Sequence, residues 1–183
     1  GIHVASYGKD SGDMSLIDVI ESIAEIEGLE RIRTSSVEPL IITEEFVQRL
    51  GAVDKFCPHF HLSLQSGSDS VLSRMNRRYT SQEYREAVNT IRRTFPYAAI
   101  TTDVIVGFPE ETDQEFEQTY EFLKEMKLYE THIFKYSPRN GTKAAEMPDQ
   151  VDPSVKNSRS ECLIKLNEKN KKDFEDLHVG QIV

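Results

Sequence analysis

Helical and strand periods alternate along this chain, and that alternation constrains its fold more than any other feature. SLIDVIESIAEI at residues 15–26 sets Leu16, Ile20 and Ile23 at helical spacing behind a Ser15 N-cap. RIRTSS (31–36) reads as a short strand ended by Glu38-Pro39, and a helix is expected over Thr43 to Leu50. HFHLSL (59–64) alternates as a strand does, and a short helix follows around Ser70 to Met75. Thr80 and Glu83 have capping-box spacing for a helix with Tyr84, Ala87, Val88 and Ile91 on one face. The β-branched AITTDVIVG (99–107) is bounded by Gly107-Phe108-Pro109. Thr112 and Glu115 repeat the capping-box spacing, with Phe116, Tyr120 and Leu123 as the apolar stripe. THIFKYS (131–137) is the last expected strand, Pro138 to Val151 an irregular loop, and Pro153 the first turn of a long Lys-rich helix to about Phe174.

Strand and helix repeated about five times imply parallel strands joined by right-handed helical crossovers. In such sheets ligands bind at the carboxyl ends of the strands. The polar stretches fall there: Ser6 to Gly8, Ser35 to Glu38, Gln65 to Ser68, Gly107 to Glu111, and Ser137 to Gly141.

The composition, 38% hydrophobic and 29% charged over 183 residues, is that of an ordinary soluble domain. No apolar run approaches the ~18 residues of a membrane span and no signal-peptide pattern opens the chain, so a cytoplasmic protein without membrane partners is expected. The net charge of −9 argues against a broad, nonspecific nucleic-acid surface. The charge is uneven, however: six arginines (74, 77, 78, 85, 92, 93) fall between Val71 and Arg93, and Asp103 to Glu130 is strongly acidic. Cys57 and Cys162 stand in no C-x-x-C pattern and read as packing thiols, so no metal site is expected from this chain. GIHVASYG, at the start, reads like the end of a strand whose beginning is missing, so the expectation is a piece of a longer protein.

Taken singly, the chemistry-bearing residues each admit a bland reading. Gln65-Ser66-Gly67-Ser68 can cradle an anion through backbone N–H groups or simply cap the helix that follows. Asp103 lies inside an apolar run, where a carboxylate must be paired, hydrogen-bonded or near the strand's open end. His59 and His61 share a strand face without a third ligand of suitable spacing, which favours packing or hydrogen bonding. Arg77 and Arg78 fit a solvated face. Tyr136 and Arg139 bracket a strand end, where stacking and anion contact compete with core packing.

In combination the motifs say more. RIRTSSVEP, HLSLQSGSDSVLSRMNRRYT, TDVIVGFPEET and FKYSPRNGTKAAEMPDQV, in this order, closely resemble the radical S-adenosylmethionine (radical SAM) domain of the methylthiotransferases that modify tRNA or a ribosomal protein. GIHVASYG and SSVEP resemble the branch acting on N6-threonylcarbamoyladenosine beside the anticodon. The resemblance implies an α/β fold, a partial six-stranded (β/α) TIM-like barrel of the radical SAM type, here without its first strand and cluster loop. Residues 1–152 would carry about strands two to six. Residues 153–178 would be a helix leading out of the barrel, and 179–183 the start of an RNA-binding β-domain.

The same resemblance implies S-adenosylmethionine and [4Fe–4S] clusters as cofactors and tRNA as partner, with no cluster ligand and no catalytic residue in this chain. By itself the piece should be inactive, and its open barrel edge favours self-association. It assigns cofactor contacts to Glu38, Gln65, Arg77 and Asp103, and to Ser36 and Ser66 in the matching strand-end motifs. Val106, Gly107, Phe108 and Pro109 form the adenine-side wall, and Gly1 to His3 meet the cofactor's amino-acid end. Tyr136 and Arg139 fall on the substrate side. The family usually has glycine where Glu110 stands, a departure that distorts the turn or is tolerated there. The alternative substrates are isopentenyladenosine in tRNA or a ribosomal protein. Readings of another class are a non-catalytic nucleotide- or tRNA-binding barrel and a metal-independent barrel enzyme acting on a phosphorylated metabolite.

Overall fold

The computed structural model describes residues 6–8, 12 and 14–180. It divides into two compact units, Gly1–Ser63 with Gln82–Ile100, and Leu64–Ser81 with Thr101–Val183.

In the first unit, helix α1 (Leu16–Ala24) starts at a complete Ser15/Asp18 capping box and buries Ile17 and Ile20; Leu16 and Ile23 are half-buried. Helix α2 (Glu44–Gly51), capped by the Thr43 hydroxyl, buries Val47 and Leu50. Arg49 of α2 reaches back to Asp18 and Glu21 of α1 at 2.5 and 2.6 Å, joining the two helices. Strand β1 (His59–His61) is three residues long, and Phe60 is its buried centre. Helix α4 (Ser81–Thr94), which comes after the short helix α3 (Asp69–Arg74) of the second unit, buries Tyr84, Ala87, Val88 and Ile91, the face its spacing predicts. Phe56, Phe60 and Phe95 form an aromatic cluster with ring centroids 5.5 to 6.0 Å apart.

The strand expected at 31–36 is reduced to two isolated parallel bridges, Ile32 to Phe56 and Val37 to Leu62. Its alternate residues Arg31 and Arg33 are exposed, and Pro39 supplies no N–H and restricts Glu38, so pairing stops at once.

Strand β2 (Ala99–Val106) starts in the first unit and runs on into the second, where it pairs in parallel with β3 (Glu130–Lys135). Helix α5 (Asp113–Met126) crosses from β2 to β3 behind the complete Thr112/Glu115 capping box. Its buried face is Thr119, Phe122, Leu123 and Met126, rotated from the predicted stripe, in which Phe116 and Tyr120 are only half-buried. The irregular loop 138–151 contains one helical turn, α6 (Lys143–Glu146), capped by Thr142. Helix α7 (Pro153–Asp176) begins with Pro153 at its first turn and Asp152 as N-cap, and packs on β3 and α5. Among the described residues no helix is long and apolar enough to cross a membrane.

Candidate functional site

The second unit carries a pocket of about 400 Å³ at the carboxyl ends of β2 and β3. Period-two alternation builds it. Val104 and Val106 turn into the core with no exposure, so Asp103 and Ile105 take the opposite face of β2. In the parallel register Ile105 lies beside Phe134, and both line the pocket with Gln65, Asp103, Tyr136 and Arg139; Lys135, Ser137, Thr142 and Ala144 complete it.

Gln65 is stitched to β2 on both sides: its N–H donates to the Asp103 carbonyl at 2.8 Å, and its carbonyl accepts from Ile105 N–H at 2.9 Å. Its φ is +72°, the left-handed region that costs a residue with a Cβ roughly 1–2 kcal/mol. Glycine would avoid that cost, so a glutamine kept here points to a task for its side chain, as strained backbone at pockets commonly does. Tyr136 continues β3 by donating its N–H to the Val106 carbonyl at 2.9 Å, and its ring meets Phe108 edge-on at 5.2 Å. Among the described residues the buried Tyr136 hydroxyl has no hydrogen-bond partner. A carboxylate, an amide, a guanidinium and an aromatic ring around one apolar-floored cavity suit a ligand carrying both charged and aromatic parts.

The side chains that follow Gln65 in its turn bond to α5 and to one another. Ser66 Oγ lies 3.1 Å from Thr119 Oγ1, which also accepts from Gly67 N–H at 3.1 Å. The Ser68 hydroxyl donates to Gln118 at 2.8 Å. A Cβ on Gly67 would stand 2.8 Å from both the Thr119 Cα and the Phe122 Cβ, so this glycine permits close approach of the turn to α5. Arg74, on α3, is bound through two nitrogens to Glu115 at 2.9 and 2.7 Å. That guanidinium and the Ser70 hydroxyl hold the Glu115 carboxyl down at about 2.

The turn after β2 is a second buried polar knot. Glu111 accepts from Gly107 N–H and from Arg159 of α7, both at 2.7 Å, and Arg159 also donates to the Glu111 carbonyl and to Asp113. Burial pushes the Glu111 carboxyl upward, against these two donors. Gly107 has a φ of +68°, and Glu110, where the resembled family has glycine, has a φ of +65°. Glu110 thus takes a left-handed conformation in which a Cβ is strained.

Of the four residues expected to converge, Gln65 and Asp103 meet at this pocket. Arg77 is exposed in the same unit and does not line it; Glu38, half-buried before a 3₁₀ turn (Pro39–Ile41), and the exposed Ser36 belong to the first unit. The Ser66 side chain is engaged by α5, and Val106 faces the core, so the β2 wall of the pocket is Ile105 instead. Gly107, Phe108 and Pro109 are buried at the strand end behind the pocket lining. Gly1 and His3 lie outside the described residues. Ile105 and Phe134 were legible by counting two from Asp103 and from Tyr136; Thr142 and Ala144 carried no such signal.

Comparison with known proteins gives the family. The family model of the Radical SAM superfamily matches residues 3–123. The threonylcarbamoyladenosine tRNA methylthiotransferase MtaB of Bacillus subtilis is 42% identical over the whole chain and 41% of its own length. A tRNA-2-methylthio-N(6)-dimethylallyladenosine synthase of Pelotomaculum thermopropionicum is 41% identical over 99% of this chain and 41% of its own length. The chain thus spans about two-fifths of these relatives. Among solved structures, the radical SAM enzyme coproporphyrinogen III oxidase (HemN) of Escherichia coli superposes with a TM-score of 0.65 at 18% identity, over 85% of this chain and 36% of that one. Streptococcus suis SuiB bound to S-adenosylmethionine gives 0.56 at 10% identity, over 92% and 36%. With the family model matched over residues 3–123 and relatives about 40% identical along the whole chain, this chain belongs to the radical SAM superfamily.

Proposed function

We propose that this chain is the S-adenosylmethionine-binding part of a tRNA methylthiotransferase, and that the whole protein adds a methylthio group to C2 of N6-threonylcarbamoyladenosine. The observation that carries the cofactor reading is Gln65, held left-handed beside Asp103 at the mouth of the pocket. The donor set fits the group. Asp103 suits an ammonium or ribose hydroxyls, and the Gln65 amide both gives and accepts hydrogen bonds. Tyr136 and Arg139 line the cavity just beyond β3, where cofactor and substrate adenosine would meet. Glu38, Arg77, Ser36, Ser66 and the Val106 to Pro109 segment belong to the proposed cofactor set by family resemblance.

Bound S-adenosylmethionine and a reduced cluster supply one-electron chemistry at an unreactive carbon; the chain's task is to orient the cofactor and exclude water. The cluster itself finds no ligand set here, because Cys57 and Cys162 form no C-x-x-x-C-x-x-C pattern.

The threonylcarbamoyl reading is supported by Ser35-Ser36-Val37-Glu38-Pro39 and by the 42% relative spanning the whole chain. The 41% relative named for dimethylallyladenosine supplies the competing reading. Deleting the gene and digesting total tRNA for nucleoside mass spectrometry decides between them. Loss of the 2-methylthio form of N6-threonylcarbamoyladenosine is the expected result. Loss of the isopentenyl form instead would move the substrate, and loss of neither would overturn the proposal.

A further inference from the structure

We propose that Lys156 of α7 is a positioning residue for the pocket, acting through Tyr136; this rests on the cofactor reading above. Lys156 is buried, and its side chain spans the ends of both strands. Its stem covers Gly107 so closely that a Cβ there would lie 2.4 Å from the Lys156 Cγ. Its ammonium stands 5.3 Å from the centre of the Tyr136 ring and donates to the Tyr136 carbonyl at 3.2 Å. It forms no ion pair among the described residues, and the exposed Asp152 at the N-cap of α7 feels its charge only through space.

A buried cation whose nearby carboxylate, Asp152, is exposed and not in ion-pair contact is costly, and methionine would fill the same space over Gly107 without that cost. What the ammonium adds is direction. It holds Tyr136, which lines the pocket and also meets Phe108 edge-on. The Gly107 turn and the Tyr136 wall are thereby held by one side chain of a helix that itself lines none of the pocket. The placement of α7 thus sets the geometry of the ligand's walls.

The test is calorimetric titration of S-adenosylhomocysteine into the full-length protein, below the melting temperature of every variant. Lys156→Met keeps the stem and removes the charge, and weakens binding about tenfold, near the worth of one desolvated cation–π contact. Lys156→Arg, which stacks and donates in the same direction, returns affinity to within about threefold of wild type. In a Tyr136→Leu background the Lys156→Met change costs less than about twofold, because the ring it acts through is gone. An unchanged affinity in folded Lys156→Met, or the same loss with and without the ring, overturns the inference while the cofactor reading stands. Failure of the wild-type protein to bind, or full binding by a Gln65→Ala/Asp103→Asn double variant, overturns the cofactor reading and this inference with it.

Discussion

Two strand-end segments of the second unit look alike in sequence and do different work. Gln65 to Ser68 and Tyr136 to Thr142 are both short, polar and glycine-containing or glycine-adjacent. After Gln65 the polar groups are consumed: Ser66, Gly67 and Ser68 all bond to Thr119 or Gln118 of α5. After β3, Tyr136, Ser137, Arg139 and Thr142 line the pocket. Gln65 is the hinge between the cases, tied to β2 by its backbone with its side chain left to the cavity. Polar composition at a strand end marks where a site can be, and the destination of each hydrogen bond decides whether it is one.

The contrast is open to attack by mutation. The largest expected effect is on the knot that anchors the β2 turn to α7: Arg159→Met leaves Glu111 buried without its cation and lowers stability by about 3–5 kcal/mol in chemical denaturation. A milder result, near that of a surface pair, would mean the turn is held by something else. Gly67→Ala comes next, costing about 2–3 kcal/mol, because the new methyl meets the backbone of α5. Any folded Gly67→Ala protein keeps its ligand affinity if this turn is packing alone.

Gln65→Gly has the opposite signature. It relieves a left-handed residue, so the melting temperature holds or rises, while affinity for S-adenosylhomocysteine falls about tenfold, the loss of one well-placed amide. A variant that binds as wild type would remove Gln65 from the site. Glu110→Gly, at the other left-handed position, stabilises by about 0.5–1 kcal/mol with no change in binding, since Glu110 lines no part of the pocket.

The last effect is one of pH. Glu115 is held at about 2 in the folded chain, below its ordinary 4.5. Its stabilising contribution is therefore complete above pH 4.5 and is lost as pH falls from there toward 2. Glu115→Gln flattens the acid limb of a stability–pH curve in that window; an unchanged limb would mean that other carboxylates set it.

Local signals were legible wherever they are satisfied locally. Ser15, Thr43, Thr112 and Pro153 open helices where their spacing places them, because a cap needs only its own next turn. The expected strand at 31–36 came down to two bridges, because pairing depends on a neighbour that sequence periodicity does not describe. The α5 face rotated for the same reason: Thr119 outcompeted Phe116 for the interior because it satisfies the Ser66–Gly67 turn. In the pocket, Gln65 and Asp103 were readable by resemblance. Ile105 and Phe134 followed from strand parity, but Lys156 did not. A lysine on a Lys-rich helix carries no mark of burial until Gly107 and Tyr136 are seen beside it.

The central claim is that the pocket bounded by Gln65, Asp103 and Tyr136 takes the adenosyl cofactor. A crystal structure of the full-length protein with S-adenosylhomocysteine tests it most directly. The expected result is the ligand within hydrogen-bond reach of the Gln65 amide and the Asp103 carboxylate, with the Tyr136 ring against it. A ligand bound elsewhere, with those three side chains out of contact, would contradict it.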